Sequence, residues 1–169
     1  GGLGMGPVEG MVVMEELGRG IVLEPFTQTL IAGAVLGGYA PAEVKAAWLG
    51  KVASGEALVV LAQQERKARY RLDICDTSAS ESGGHWTVNG AKSVVPAGDK
   101  ADAFLVPAMV GERMALLLVE RTANGVTTRG YGTQDSSRAA ELTLKDAPAT
   151  LVTLDGLTAS ACACRDAWI

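Results

Sequence analysis

The sequence predicts an α+β protein: a short N-terminal helical segment followed by an antiparallel β-barrel-like domain. Three observations carry this. Residues 7 to 55 place apolar side chains at helical spacing between Pro and Gly punctuation. From Ala57 onward the apolar residues gather into short runs, and turn signals such as Asn-Gly separate those runs. The expected division is 1–55 helical, 56–150 β, and 151–169 a tail of different character.

Pro7 suits a first helical turn, where its missing N–H costs nothing, and Val8, Met11, Val12 and Glu15 then share a face until Gly18 and Gly20 stop the helix. A second helix is expected from near Pro25 through Leu30, Ile31, Ala34 and Val35 to Gly37-Gly38. Pro41 starts a third, with Val44, Ala47, Trp48 and Val52 as its apolar stripe and Ser54-Gly55 as its end.

Leu58 to Ala62 is short enough and apolar enough to be a buried strand, and it runs into the polar, charged patch Gln63 to Tyr70. Arg71 to Ala79 reads as a further strand, followed by a loop at Ser80 to Gly83. Gly84 to Met109 then reads as a meander, with a tight turn at Asn89-Gly90, a strand through Ser93, Val94 and Val95, and another ending at Leu105-Val106. Met114 to Glu120, a turn at Ala123 to Gly125, and a last strand from Ala139 to Leu144 complete the β region. Leu151 to Ile169 has no clear period and predicts no helix.

Composition removes several functions. A net charge of -4 and a pI near 5.0 argue against nucleic acid, which needs a clustered basic face, and disfavour an anionic membrane surface for the same reason. No apolar run approaches the roughly 18 residues of a spanning helix, and no signal peptide opens the chain, so a cytoplasmic protein is expected. The three cysteines, Cys75, Cys162 and Cys164, match neither a disulfide framework nor a zinc pattern. The single histidine, His85, follows Gly84 and reads as an exposed turn residue. Gly1 to Gly6, GGLGMG, has neither Rossmann nor P-loop spacing.

The order of motifs is more telling than any one of them. A helical segment, Ala53-Ser54-Gly55-Glu56, an apolar strand, a charged loop, Trp86-Thr87-Val88-Asn89-Gly90-Ala91-Lys92 and Ala139-Ala140-Glu141-Leu142-Thr143-Leu144 resemble the acyl-CoA dehydrogenase family over about residues 1 to 149. Gln63 to Arg66, Arg69-Tyr70, Lys92 to Val95, Gly98-Asp99 and Tyr131 to Asp135 resemble the branch that contains the pimeloyl-CoA dehydrogenase small subunit. The resemblance implies the end of the N-terminal helical domain plus the middle β domain, without the C-terminal helical bundle.

It also implies FAD, an acyl-CoA thioester substrate undergoing α,β-dehydrogenation, and a homo- or hetero-oligomer. The implied flavin contacts are Leu61, Gln63, Gln64, Val94, Val95 and Pro96, and the implied substrate contacts are Arg69 and Tyr70. Val94, Val95 and Pro96 stand where the family carries an aromatic and a hydroxyl; Pro96 has neither hydroxyl nor N–H to offer. The family's glutamate base lies in the bundle, so no catalytic residue is expected here. Glu15, Glu16, Glu65, Asp99 and Asp135 each have simpler surface or turn roles. Three readings stay open: a catalytically incomplete piece of a flavoenzyme, truncated by a frameshift near residue 150; a non-catalytic subunit or assembly module; and an unrelated β-barrel binding protein.

Overall fold

A computed structural model describes residues 6–68 and 71–166. Helix α1 (Pro7–Arg19) begins with Pro in its first turn, and the Glu9 carboxylate accepts from the Gly6 N–H at 2.7 Å, which ties the helix start. Helix α2 (Phe26–Tyr39) follows, and α3 (Ala42–Ser54) ends at Gly55, whose φ of 79° is the left-handed cap that glycine adopts at least cost. All three helices lie where the Pro and Gly punctuation predicts.

The β region holds β1 (Val59–Leu61), β2 (Ser78–Ser82), β3 (His85–Pro96), β4 (Ala103–Val110), β5 (Arg113–Glu120), β6 (Val126–Gly132) and β7 (Arg138–Thr153). Strand β4 pairs with β2, β2 with β3, β3 with β7, β7 with β5, and β5 again with β4, so the sheet closes on itself. Strand β1 adds in parallel to β4, and β6 lines the first part of β7. This is the barrel-like domain expected, preceded by helices.

Alternation along the strands makes two cores. Phe104, Val106, Leu117, Val119, Leu142 and Leu144 fill the barrel interior. Leu105, Leu116, Leu118 and Val152 face outward against Ile31, Val35 and Leu36 of α2 and Val44 and Val52 of α3. Strands β4 and β5 are buried on both sides, which is why they read as unbroken apolar runs.

Five expectations need correction. Residues 71–77, expected as strand, are irregular, and β2 begins only at Ser78. Asn89-Gly90 is no hairpin: β3 runs straight through it, with a bulge between Val88 and Gly90. Gly90 takes φ 155°, and a Cβ there would stand 2.5 Å from Thr77 Oγ1 and 2.8 Å from Thr77 Cα. Its glycine therefore serves close backbone approach, while Asn89 bridges to Asp146, donating to Oδ1 at 2.8 Å and accepting from the Asp146 N–H at 2.8 Å. The actual turn is Gly83-Gly84, both at positive φ, between Ser82 and its partner His85, so residues 80 to 82 are strand and not loop. Strand β6 was not expected, because its pattern is polar on an edge. Finally, the tail is not without helix: β7 extends to Thr153, and α4 (Gly156–Asp166) packs on α2 and β5, burying Ala159 and Ser160.

Candidate functional site

The loop leaving β1 is fixed at both ends. The Ala62 N–H donates to Leu105 O at 2.8 Å, and the Ser93 N–H of β3 donates to Gln64 O at 2.9 Å. Two segments nearly thirty residues apart, 61–64 and 93–96, are thus laced side by side. They contain all the cofactor contacts expected from sequence. Arg69 and Tyr70, the expected substrate contacts, lie outside the described residues.

Just beyond Gln64 the chain buries a charge. Glu65 is 5% exposed and Lys92 is 1% exposed, with Lys92 Nζ 2.7 Å from Glu65 Oε1 and 2.7 Å from Pro107 O. The same carboxylate accepts from Thr77 Oγ1 at 2.6 Å, the Thr77 N–H at 3.1 Å and the Asp76 N–H at 2.6 Å. Burial pushes the Glu65 carboxyl up, but the Lys92 ammonium, the Thr77 hydroxyl and the backbone donor outweigh it and hold the group at about 2. Glu65 and Lys92 are consequently structural: they clamp the β1 loop, the segment before β2, β3 and β4 together. Cys75 sits beside them, its thiol pushed up by burial.

Past Lys92, β3 bulges. Val94 has φ 50° and Ala97 φ 53°, and a β-branched residue in that region is held there only by its surroundings. Glu141 of β7 supplies part of the hold, accepting from the Val94 N–H at 3.5 Å and from Tyr131 OH at 3.1 Å. Burial and this carboxylate push the Tyr131 phenol up. The bulge divides the segment by role. Val95 is buried in the barrel, Val94 turns out with 46% exposure, and Pro96 faces solvent.

Pro96 lines two cavities. One, of about 630 Å³, lies between Leu23, Glu24, Pro25, Thr27 and Gln28 at the start of α2 and Leu58, Pro96, Ala97, Lys100 and Ser136–Arg138 of the β region. The other, of about 300 Å³, is lined by Val94, Pro96, Thr133–Asp135 and Ser137–Ala139. Leu61 is buried in the core beneath the helices, so only its backbone faces outward chemistry. Gln63 is half-buried, and its Oε1 is buried without a partner. The cleft residues of α2 and of the turn before β7 carry no sequence signal of their own; Pro25 reads only as a helix start.

The other carboxylates weighed from the sequence are engaged or remote. Asp99 holds Arg138, Asp135 is kept at about 2 by the Thr133 and Ser137 hydroxyls, and Glu15 and Glu16 pair with Arg19 on α1. His85 is exposed beside the Gly83-Gly84 turn. Among the described residues no cluster of His, Cys, Asp and Glu could hold a metal ion, and no helix is long and apolar enough to cross a membrane.

A family model described as the acyl-CoA dehydrogenase N-terminal domain matches residues 1–56. The chain is 26% identical over 149 residues to acyl-CoA dehydrogenase FadE27 of Mycobacterium tuberculosis (strain ATCC 25618 / H37Rv), covering 87% of this chain and 38% of that protein. Its fold superimposes on the Tcur3481-Tcur3483 steroid ACAD G363A variant with a TM-score of 0.89 at 28% identity, over 98% of this chain and 45% of that one. The family model, the curated relative and the solved structures all point to the acyl-CoA dehydrogenase family. A glutaryl-CoA dehydrogenase from Mycobacterium smegmatis, solved with FADH2, shares the fold at TM-score 0.84 and 24% identity, over 97% of this chain and 45% of that one. The chain therefore spans less than half the length of these acyl-CoA dehydrogenase relatives, and what it covers is their N-terminal and middle domains.

Whether the residues fit a flavin is testable on the geometry. An isoalloxazine is flat and largely apolar at its faces, with N–H and carbonyl groups along one edge. Pro96 lines the cleft and Val94 the smaller cavity beside it, both offering apolar surface, while Gln63 Oε1 is a buried acceptor without a donor that lines neither cavity. These residues fit such a ring, without the side-chain hydroxyl that a Thr or Ser at 96 would contribute.

Proposed function

We propose that this chain supplies the flavin-side wall of an FAD-dependent acyl-CoA dehydrogenase that carries out α,β-dehydrogenation of an acyl-CoA thioester. The observation that supports this best is the Gln64–Ser93 backbone hydrogen bond, which brings together the two segments proposed to contact the flavin, the second of which reaches the cleft at Pro96. FAD, when bound, supplies the hydride acceptor. The chain's own part is to hold and orient: Val94 and Pro96 pack on the ring, Gln63 and Gln64 offer amide groups, and the Glu65–Lys92 pair fixes the loop that carries them. Leu61 and Val95 support the wall from within the core. Arg69 and Tyr70 are assigned to the acyl-CoA.

None of the described carboxylates is placed as a base. Apart from Glu24 on the cleft wall, to which no such role is assigned, each is paired, hydrogen-bonded or remote from the cleft, so these residues alone are taken as catalytically incomplete, with the base in another segment or subunit. The division proposed is 1–55, 56–150 and 151–169, with α4 belonging to the tail. The substrate assignment follows the resemblance to the pimeloyl-CoA branch. Exposed Val8, Met11, Val12 and Met14 along α1 support an oligomer, and a cytoplasmic location is proposed with it.

A second reading, a non-catalytic subunit or assembly module of a hetero-oligomeric flavoenzyme, is favoured by one residue: Pro96 can donate no hydrogen bond. One experiment separates the two. Purified chain titrated with FAD should quench flavin fluorescence saturably and take on yellow colour. A protein that stays colourless with excess FAD would sink the first reading and leave the second.

A further inference from the structure

We propose that Arg138 and Lys100 form an oxyanion-binding site in the 630 Å³ cleft, with Asp99 as the positioning residue that fixes the guanidinium. The ligand class is a small molecule bearing a carboxylate or a phosphate.

Arg138 Nε donates to Asp99 Oδ2 at 2.7 Å, and Nη2 lies 2.6 Å from the same oxygen. Both contacts end on a single atom, so the rest of the planar fork remains free to bind. The carboxylate that anchors it is unusual for a surface ion pair. The Asp99 side chain is only 9% exposed, and its Oδ1 is buried without a partner. Its seat also requires glycine in β6: a Cβ at Gly130 would lie 2.5 Å from Asp99 Cβ. An exposed ion pair contributes little to stability, too little to account for a buried carboxylate and an obligatory glycine. What the arrangement does achieve is a guanidinium held in one orientation.

Lys100 is the next residue after that anchor. Arg121 pins the loop that carries both, its Nη1 donating to Asp99 O at 2.5 Å and Ala101 O at 3.3 Å. The Lys100 ammonium has no partner among the described residues, and it lines the same cleft as Arg138. Glu24, on the opposite wall, is the one carboxylate among the cleft-lining residues, so cations outnumber it on the surface a ligand would touch. Arg138 also lines the 300 Å³ cavity beyond Pro96, so an anion carried by a molecule lying across Pro96 meets the same fork from either side. One oriented guanidinium and one free ammonium beside apolar Leu23, Leu58 and Pro96 suit a ligand that is part hydrocarbon and part anion.

Calorimetric titration at low salt tests this with two probes, adipate and inorganic pyrophosphate. Neither contains a flavin, so the outcome is independent of the FAD titration. Saturable binding of either probe is expected; adipate alone assigns the site to a carboxylate, pyrophosphate alone to a phosphate. Arg138→Gln and Lys100→Gln should each weaken binding about tenfold, the size of one charge-assisted contact. Lys145→Gln, which removes an exposed charge outside the cleft, should leave it unchanged. Asp99→Asn is the sharpest arm: it adds net positive charge, so a site made by charge alone would tighten, whereas a site made by orientation weakens. No binding of either probe, equal loss in the Lys145 variant, or tighter binding in Asp99→Asn overturns the proposal. Should Arg138→Gln fail to fold, as judged by its melting profile, Lys100→Gln decides the outcome.

Discussion

Lys92 Nζ reaches both Glu65 Oε1 and Pro107 O at 2.7 Å, so one ammonium joins the loop after β1 to β3 and to β4 inside the barrel wall. Removing one partner leaves the other charge buried and alone. Glu65→Gln and Lys92→Met should each lower unfolding stability by about 3 to 5 kcal/mol, whereas Glu65→Leu combined with Lys92→Met should recover a large part of the loss. Urea denaturation of the three variants checks this; additive losses in the double variant would show that the two residues are not coupled.

The same pair predicts an acid limit. The Glu65 carboxyl is held at about 2 in the fold against 4.5 without it. A folded value below the unfolded one means that the stabilisation is fully present above pH 4.5 and is lost as pH falls from there through about 2. Denaturation midpoints of the native protein should therefore fall across that window, and Glu65→Gln should flatten this part of the profile. An unchanged slope in Glu65→Gln would assign acid sensitivity to other carboxylates.

Glycine substitutions distinguish the two Asn-Gly and Gly-Gly sites. At Gly84 a Cβ meets open space, so Gly84→Ala should cost only the left-handed backbone penalty, about 1 to 2 kcal/mol. At Gly90 the added carbon meets Thr77 backbone as well as side chain, so Gly90→Ala should lower the melting temperature considerably more. The opposite ranking would return the turn to Asn89-Gly90.

Pro96→Thr tests the flavin wall by restoring a hydroxyl and a backbone donor at the cleft edge. One added hydrogen bond of about 0.5 to 1.5 kcal/mol predicts FAD binding tighter by roughly two- to tenfold in a fluorescence titration. No gain in affinity would mean that residue 96 does not face the ring.

How legible the fold was depended on what each segment buries. The three helices start at or next to Pro7, Pro25 and Pro41, and Gly20 and Gly55 follow the ends of α1 and α3, so backbone punctuation marks most of their ends. Strands β4 and β5 are buried on both faces and announce themselves by apolar runs. Strand β6 does not, because Val126 to Gly132 lies on an edge with polar side chains between. Helix α4 is hidden for a different reason: it docks through Gly156, Ala159 and Ser160, small residues that allow close approach but carry no apolar stripe. The two segments expected from their order to contact a flavin lie side by side through the Ser93 N–H to Gln64 O bond. Asp99 and Arg138 were not legible, since 39 residues separate them and only the closed barrel makes them neighbours.

The ring of strands also sets a timetable for the chain. Strand β7 is the last strand made, yet it pairs with β3, β5 and β6, and it alone joins β3 to β5. During synthesis the barrel cannot close until Thr153 has left the ribosome. Until then β3 and β5 present unsatisfied edges for which a chaperone or a second nascent chain can compete.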